Sequence, residues 1–115
     1  MTHNMKNYKE YIDYCQSLAE DINDNYPDDI EVTDRIHEIA DGCQYVIYYS
    51  KAWDLVNMMQ WANRELLEEA TNEAGRWCTY ENENEINAYM SELAYYLIRN
   101  GIYSAYQHIE SEVVA

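Results

Sequence analysis

The sequence is poor in basic side chains. Only 7 lysines and arginines stand against 22 aspartates and glutamates in 115 residues, so the formal net charge is −15. A chain of this charge repels the phosphates of nucleic acids and anionic membrane surfaces. Direct binding to either is therefore excluded, and the partner should be a basic protein, a metal ion or nothing.

Residues that interrupt helices are also scarce. The chain has one proline and three glycines, and no stretch alternates apolar and polar residues as a strand does. The apolar runs fall far short of the roughly 20 residues that span a membrane. We expect an all-α fold, a small irregular bundle of about five helices with no sheet, in which residues 1–115 form a single helical domain.

The predicted helices follow the 3.6-residue period. From Glu10 to Asp24, the apolar residues share an arc of about 120° and the acids an opposite arc of about 100°. After the loop around Pro27, a short helix is predicted from Asp34 to Asp41, with Thr33 as its N-cap and Gly42 closing it.

A longer helix is predicted from about Gln44 to the region of Thr71. Met58 and Trp61 fall on its charged side, which predicts a break near residue 60, burial under another element, or a contact made by these two side chains. A further helix is expected after the capping pair Asn82 and Glu85. The apolar stripe then changes direction at Gly101, which predicts a turn and a separate last helix.

The motifs of the common enzyme classes are missing, so we expect no catalytic activity and no cofactor. Cys15, Cys43 and Cys78 are odd in number and widely spaced, as in a protein with reduced thiols. Because the N-terminal segment has no apolar leader, we expect a cytoplasmic protein.

Metal binding is not expected either. His37 and Asp41 stand four residues apart and offer half of a metal site, although such pairs are more often surface hydrogen bonds. Asp21, Asn23 and Asn25 alternate as in a calcium-binding EF-hand loop. The glycine and the final glutamate of that loop are replaced by Tyr26 and Val32.

Tyrosine is abundant, with 13 residues, whereas phenylalanine is absent. Tyrosine platforms that stack on single-stranded nucleic acid need a positively charged groove, which this chain lacks. Two interpretations of the tyrosines remain. Their rings pack at the edge of the core with the hydroxyls in water, or some of them form a homodimer interface. The residues concerned are Tyr45, Tyr48, Tyr49, Tyr95 and Tyr96.

Acidic residues remain as the main feature. Between Lys9 and Arg35 there are nine carboxylates and no basic residue. An acidic surface often serves solubility alone. Acids three or four apart on a helix, however, stand roughly 4.5 to 6 Å apart along one face, and several such faces together approach the charge density of duplex DNA. The predicted DNA-mimic surface comprises Glu10, Asp13, Glu20, Asp21, Asp24, Asp28, Asp29, Glu31, Asp34, Glu38, Asp41, Asp54, Glu65 and Glu69.

The stretch NYKEYIDYCQSLAEDINDNYPDDIEVTDRIHEIADGCQYVIYY resembles the opening half of the Ocr-like phage antirestriction proteins, over about residues 7–56. The likeness lies in an amphipathic first helix, an Asp-rich loop, a short helix and the pair Tyr48 and Tyr49. The resemblance implies an all-helical homodimer shaped like bent B-form DNA that occupies the DNA-binding groove of type I restriction-modification enzymes. The acids it carries over are Glu20, Asp21, Asp24, Asp28, Asp29, Glu31, Asp34, Glu38 and Asp41.

The sequence thus predicts a phage-type DNA mimic in the host cytoplasm that inhibits a host DNA-binding defence enzyme. Type I restriction-modification is the first expected target. A CRISPR effector, which holds nucleic acid in a positively charged channel, is the second. The alternative is a small helical adaptor for protein–protein contacts, in which the acids only aid solubility.

Overall fold

The computed structural model describes residues 7–25, 29–76 and 83–114, and its ordered elements are all helical. Within these ranges there is no strand, which confirms the all-α prediction. Six helices occur where about five were expected: α1 (Tyr8–Asn25), α2 (Asp29–Asp41), α3 (Gln44–Ile47), α4 (Tyr49–Ala62), α5 (Arg64–Ala74) and α6 (Glu83–Val114).

Helix α6 is the centre of the bundle, and each of the five other helices packs against it. Its buried residues run from Met90 to Tyr106 and spread over an arc of about 220°. A helix covered by neighbours on several sides needs apolar residues on several sides, so its amphipathic pattern is weak. The core accordingly consists of the inner faces of α1 to α5 closed around α6.

The predicted turn at Gly101 is wrong, because α6 continues through this residue for 32 residues in all. The apolar stripe changes direction because successive stretches of α6 meet different neighbours: Asn87 and Ser91 bond to residues of α4 and α3, whereas Gly101 packs against α1. Gly101 is buried where α1 crosses α6. A Cβ atom at this position would lie 2.6 Å from the Sγ atom of Cys15 and closer still to the hydroxyl oxygen of Tyr11. The glycine therefore permits close helix packing and does not end the helix.

Helix α2 begins at Asp29, five residues before the predicted start. The predicted N-cap Thr33 and the predicted first residue Asp34 both lie inside the helix, because the buried residue Val32 extends the apolar stripe toward the N-terminus. The predicted end at Asp41 is confirmed, and the Gly42 N–H donates to the Glu38 carbonyl at 3.0 Å.

The long helix predicted from Gln44 is divided into α3, α4 and α5. Tyr48 separates the first two with an extended backbone (φ −99°, ψ 117°). Asn63 separates the last two, and its side chain accepts a hydrogen bond from the Leu66 N–H at 3.2 Å as the N-cap of α5. The predicted break near residue 60 is thus confirmed.

The two side chains that motivated the predicted break differ in their surroundings. Met58 is half-buried and packs against the core, whereas 88% of Trp61 is exposed. The predicted capping pair cannot be compared, because Asn82 lies outside the described residues.

Candidate functional site

Helix α1 separates its apolar and acidic residues onto opposite faces. Tyr11, Cys15, Ala19 and Ile22 are buried on the inner side. Asp13, Glu20, Asp21 and Asp24 are exposed and Glu10 is half-buried. We call these last five residues the α1 acidic face; by helical geometry they span about 100° of the helix surface.

Helix α2 repeats the arrangement. Its inner stripe is formed by Val32, Ile36 and Ala40. The α2 acidic face consists of Glu31, Asp34, Glu38 and Asp41, all exposed, at spacings that confine them to about 80° of the helix surface. Because α1 and α2 pack against each other and against α6, the two acidic faces belong to neighbouring helices.

Few of these carboxylates have basic partners. Lys9 pairs with Asp13 and Arg35 with Glu38, both at 3.1 Å and on the surface, where such pairs contribute little. Asp21 and Glu20 accept hydrogen bonds only from neutral amides. No ion pair in the described part of the chain involves Glu20, Asp21, Asp24, Glu31, Asp34 or Asp41. Their negative charge is therefore uncompensated locally.

The remaining predicted site residues lie elsewhere. Asp54 on α4 and Glu65 and Glu69 on α5 are exposed, on helices that make no contact with α2. Asp29 is the first residue of α2, and Asp28 lies outside the described residues. Ten of the fourteen predicted site residues thus lie on α1 and α2, and three lie on α4 and α5.

Exposed large apolar side chains, most of them aromatic, cluster in sequence around the junction of α3 and α4. Ile47, Tyr48 and Tyr49 are 56%, 58% and 51% exposed. Trp53, which is 38% exposed, stands one turn after Tyr49, and its indole N–H donates to Asn87 Oδ1 at 3.1 Å. We call these four residues the aromatic face. Residues 42–63 around it contain only one acid and one base, and this local neutrality is the signal in the sequence that distinguishes this surface from the acidic helices.

The other tyrosines of the predicted core-edge set behave differently. Tyr45 and Tyr95 are buried and Tyr96 is half-buried, with its ring 5.0 Å from that of Tyr95 in an edge-to-face arrangement. The core-edge interpretation therefore describes these three better than it describes Tyr48 and Tyr49.

One residue of the candidate metal pair, His37, already makes a hydrogen bond within the protein. The hydroxyl of Tyr95 makes a hydrogen bond to Nδ1 of His37, and His37 and Asp41 border a cavity of about 430 Å³ that Glu92 also lines. Among the described residues, no group of three or more histidine, cysteine or acidic side chains has the geometry to hold a metal ion.

Two cysteines are buried free thiols, Cys15 and Cys43. Burial raises the pKa of Cys15 to about 12, so its thiol stays protonated at neutral pH and is a poor nucleophile. The Tyr14 hydroxyl lies 3.2 Å from the Sγ atom of Cys43, and burial together with this contact raises the pKa of Tyr14. Cys78 lies outside the described residues.

Comparison of this chain with models of protein families, with curated proteins and with solved structures finds no match. Among the described residues, no helix is both long and apolar enough to cross a membrane. The likeness to the Ocr-like proteins thus remains a prediction from the residues that carry it.

Proposed function

We propose that this protein is a non-enzymatic DNA mimic of the phage antirestriction type, which acts in the cytoplasm of a host cell. It inhibits a host DNA-binding defence enzyme by presenting carboxylates to the groove that normally holds DNA. The observation that carries the proposal is the pair of acidic faces on α1 and α2, because six of their carboxylates have no basic partner among the described residues.

Carboxylates this close together repel one another when no basic partner is bound, and this repulsion favours binding to a basic groove. Two carboxylates about 6 Å apart repel by roughly 0.7 kcal/mol in water before salt screening. A groove of lysines and arginines removes this repulsion and gains opposite-charge contacts, as it does with phosphates. From Glu10 to Asp24 the α1 acidic face runs for about 21 Å at about 1.5 Å per residue, the length of about six base pairs of duplex.

The decisive experiment is competition between the protein and duplex DNA for a purified type I restriction-modification complex, with a CRISPR effector complex tested in parallel. We expect the protein to displace DNA from one of them. The affinity should fall steeply between about 50 and 200 mM salt, because multiple charge contacts are lost together. If neither complex loses DNA, these two target classes are wrong.

Matched charge variants separate the acidic faces from net charge alone. Asp21→Lys with Asp24→Lys alters the α1 acidic face, whereas Glu68→Lys with Glu110→Lys alters exposed acids outside the predicted surface. Each pair moves the net charge from −15 to −11, since each substitution adds two units. Inhibition should fall at least tenfold in the first pair and less than threefold in the second. Equal losses would mean that only the total charge matters.

The aromatic face favours a second candidate function, a helical adaptor that binds a partner helix through apolar contacts. In that case the acids serve solubility. Binding of the partner would hardly respond to salt, would survive Asp21→Lys with Asp24→Lys, and would be lost in Tyr49→Ala with Trp53→Ala. The salt response and the variant Asp21→Lys with Asp24→Lys therefore distinguish the adaptor from the mimic.

The aromatic face also supports a homodimer, because it is the neutral part of a strongly acidic chain and two copies meeting there avoid most of their mutual repulsion. Aromatic residues are enriched in the cores of such interfaces. Sedimentation velocity should give a dimer for the native chain and a monomer for Tyr49→Ala with Trp53→Ala. A native monomer at about 100 μM would remove the homodimer from the proposal.

A further inference from the structure

A second cavity, of about 420 Å³, opens between α1, α5 and α6. We call it the α1–α5–α6 cavity. Its walls are mainly tyrosine and aliphatic side chains, with a small number of polar groups. This volume lies in the range of pockets that hold small organic ligands, and the combination of apolar walls with few polar groups is typical of them. Six of the residues that line it are Tyr8, Ile12, Glu20, Leu66, Ser104 and His108.

Close packing and hydrogen bonds to residues outside the cavity hold its walls in place. At its floor, Gly101 lets α1 and α6 approach closely, and the Tyr11 hydroxyl donates to the Leu97 carbonyl at 2.6 Å. On another wall, the Tyr8 hydroxyl accepts a hydrogen bond from Asn63 Nδ2 at 2.9 Å, which ties α1 to the start of α5. A ligand therefore meets walls that are already in place, and the cost of ordering them on binding is small.

The charge of the cavity favours a cation. Glu20 is the one carboxylate among the described residues that line it, and neither lysine nor arginine is among them. Gln16 donates to Glu20 Oε1 at 3.4 Å, a long bond that leaves the carboxylate able to accept another donor. The net charge of −15 acts in the same direction.

We propose that the α1–α5–α6 cavity is a binding site for a small organic cation with a planar or aliphatic apolar body. The apolar body lies between Tyr8, Ile12 and Leu66, and the charged end faces Glu20. This site is independent of the DNA-mimic proposal, because it requires no groove on a partner protein. It also lies beside one member of the α1 acidic face, so occupation neutralises a carboxylate of that face.

The test is a fluorescence titration of the purified chain with thioflavin T, a planar cationic dye. The anionic dye 1-anilinonaphthalene-8-sulfonate serves as the comparison. We expect saturable binding of one thioflavin T per chain, and binding of the anionic dye at least tenfold weaker. Equal binding of both dyes, or no saturable binding of the cation, would overturn the proposal.

Two pairs of variants locate the dye. Glu20→Gln should weaken binding by about threefold to fivefold, the contribution of one exposed ion pair, whereas Glu31→Gln on α2 removes the same charge outside the cavity and should leave it unchanged. Ser104→Trp fills the cavity and should weaken binding at least tenfold. Gln107→Trp, at an exposed position of α6 that does not line the cavity, is its control. The same loss in a variant and its control would show that the dye binds elsewhere.

Discussion

Replacement of Gly101 by alanine tests the packing at the centre of the bundle. In an ordinary helix interior, glycine to alanine stabilises by about 1 kcal/mol, since alanine is the better helix former. At Gly101 the added methyl group meets the Tyr11 hydroxyl and the Cys15 sulfur, with the Cζ atom of Tyr11 only 3.0 Å away. Tyr11 is fully buried and its hydroxyl is bonded to Leu97, so it cannot move aside without losing that bond.

The magnitude follows from three contributions. Overpacking costs about 1 to 3 kcal/mol, and weakening the buried Tyr11 hydrogen bond costs about 1 kcal/mol. The gain in helix propensity offsets about 1 kcal/mol. The net loss in the free energy of unfolding is therefore about 1 to 3 kcal/mol, which lowers Tm by roughly 4 to 12 °C for a chain of this size.

Urea denaturation and thermal melting followed by circular dichroism measure this loss directly. Ser104→Ala, at an exposed position on the same helix, is the control and should be neutral or slightly stabilising. Removing the hydroxyl with Tyr11→Phe should reduce the cost of Gly101→Ala by about 1 kcal/mol in a double-mutant cycle. If Gly101→Ala stabilises the protein as it would in an exposed helix, the close approach of α1 and α6 is wrong.

Three further predictions concern the stability of the fold. Asn63→Ala should lower the free energy of unfolding by about 1 to 2 kcal/mol in urea titrations, because Asn63 caps α5 and also donates a hydrogen bond to Tyr8. The control, Asn57→Ala at an exposed position of α4, should lower it by less than about 0.5 kcal/mol, as is usual for surface sites. Burial raises the pKa of Cys15 from 9.0 to about 12, so above pH 9 the thiol ionises in the unfolded chain but not in the folded one. The free energy of unfolding therefore keeps the full contribution of Cys15 below pH 9 and loses it as pH rises from 9 toward 12, at up to about 1.4 kcal/mol per pH unit. Between pH 9 and 10, Cys15→Ala should lose stability less steeply than the native chain, and the tyrosines, which both chains share, cancel in this comparison. Parallel curves would contradict this assignment. Finally, Tm should rise when salt increases from about 20 to 300 mM, because screening weakens the repulsion of a chain with charge −15; a fall would mean that the ion pairs outweigh the repulsion.

Helix α1 and the end of helix α2 agree with their predictions because their amphipathic patterns are local, although α2 begins five residues before its predicted start. In α1, one apolar face meets one partner surface, so the spacing of Tyr11, Cys15 and Ile22 and the opposed acids determines both the helix and the side that reaches solvent. The outward direction of the α2 acidic face is determined in the same way. The predicted site residues of α1 therefore lie on its outer side as expected, whereas Asp29 and Glu31, expected in the loop before α2, belong to that helix.

Helix α6 and the sites around it depended on the tertiary structure. The number and direction of the helices that cover α6 decide which of its sides are buried, and no single period in the sequence contains that information. For this reason the sequence pattern predicts a turn at Gly101 and a separate helix after it, whereas in the structure this glycine allows close packing within one helix.

The aromatic face and the α1–α5–α6 cavity also depend on the tertiary packing of the helices. Tyr45 and Tyr49 are the same residue type on adjacent short helices, yet one is buried and the other half exposed, because the chain changes direction at Tyr48 between them. The sequence by itself determined the helical class and the acidic faces, since both follow from neighbours within a few turns. Only the tertiary structure decided where apolar side chains remain exposed to solvent or line a cavity, because that depends on which helix faces are covered by another helix.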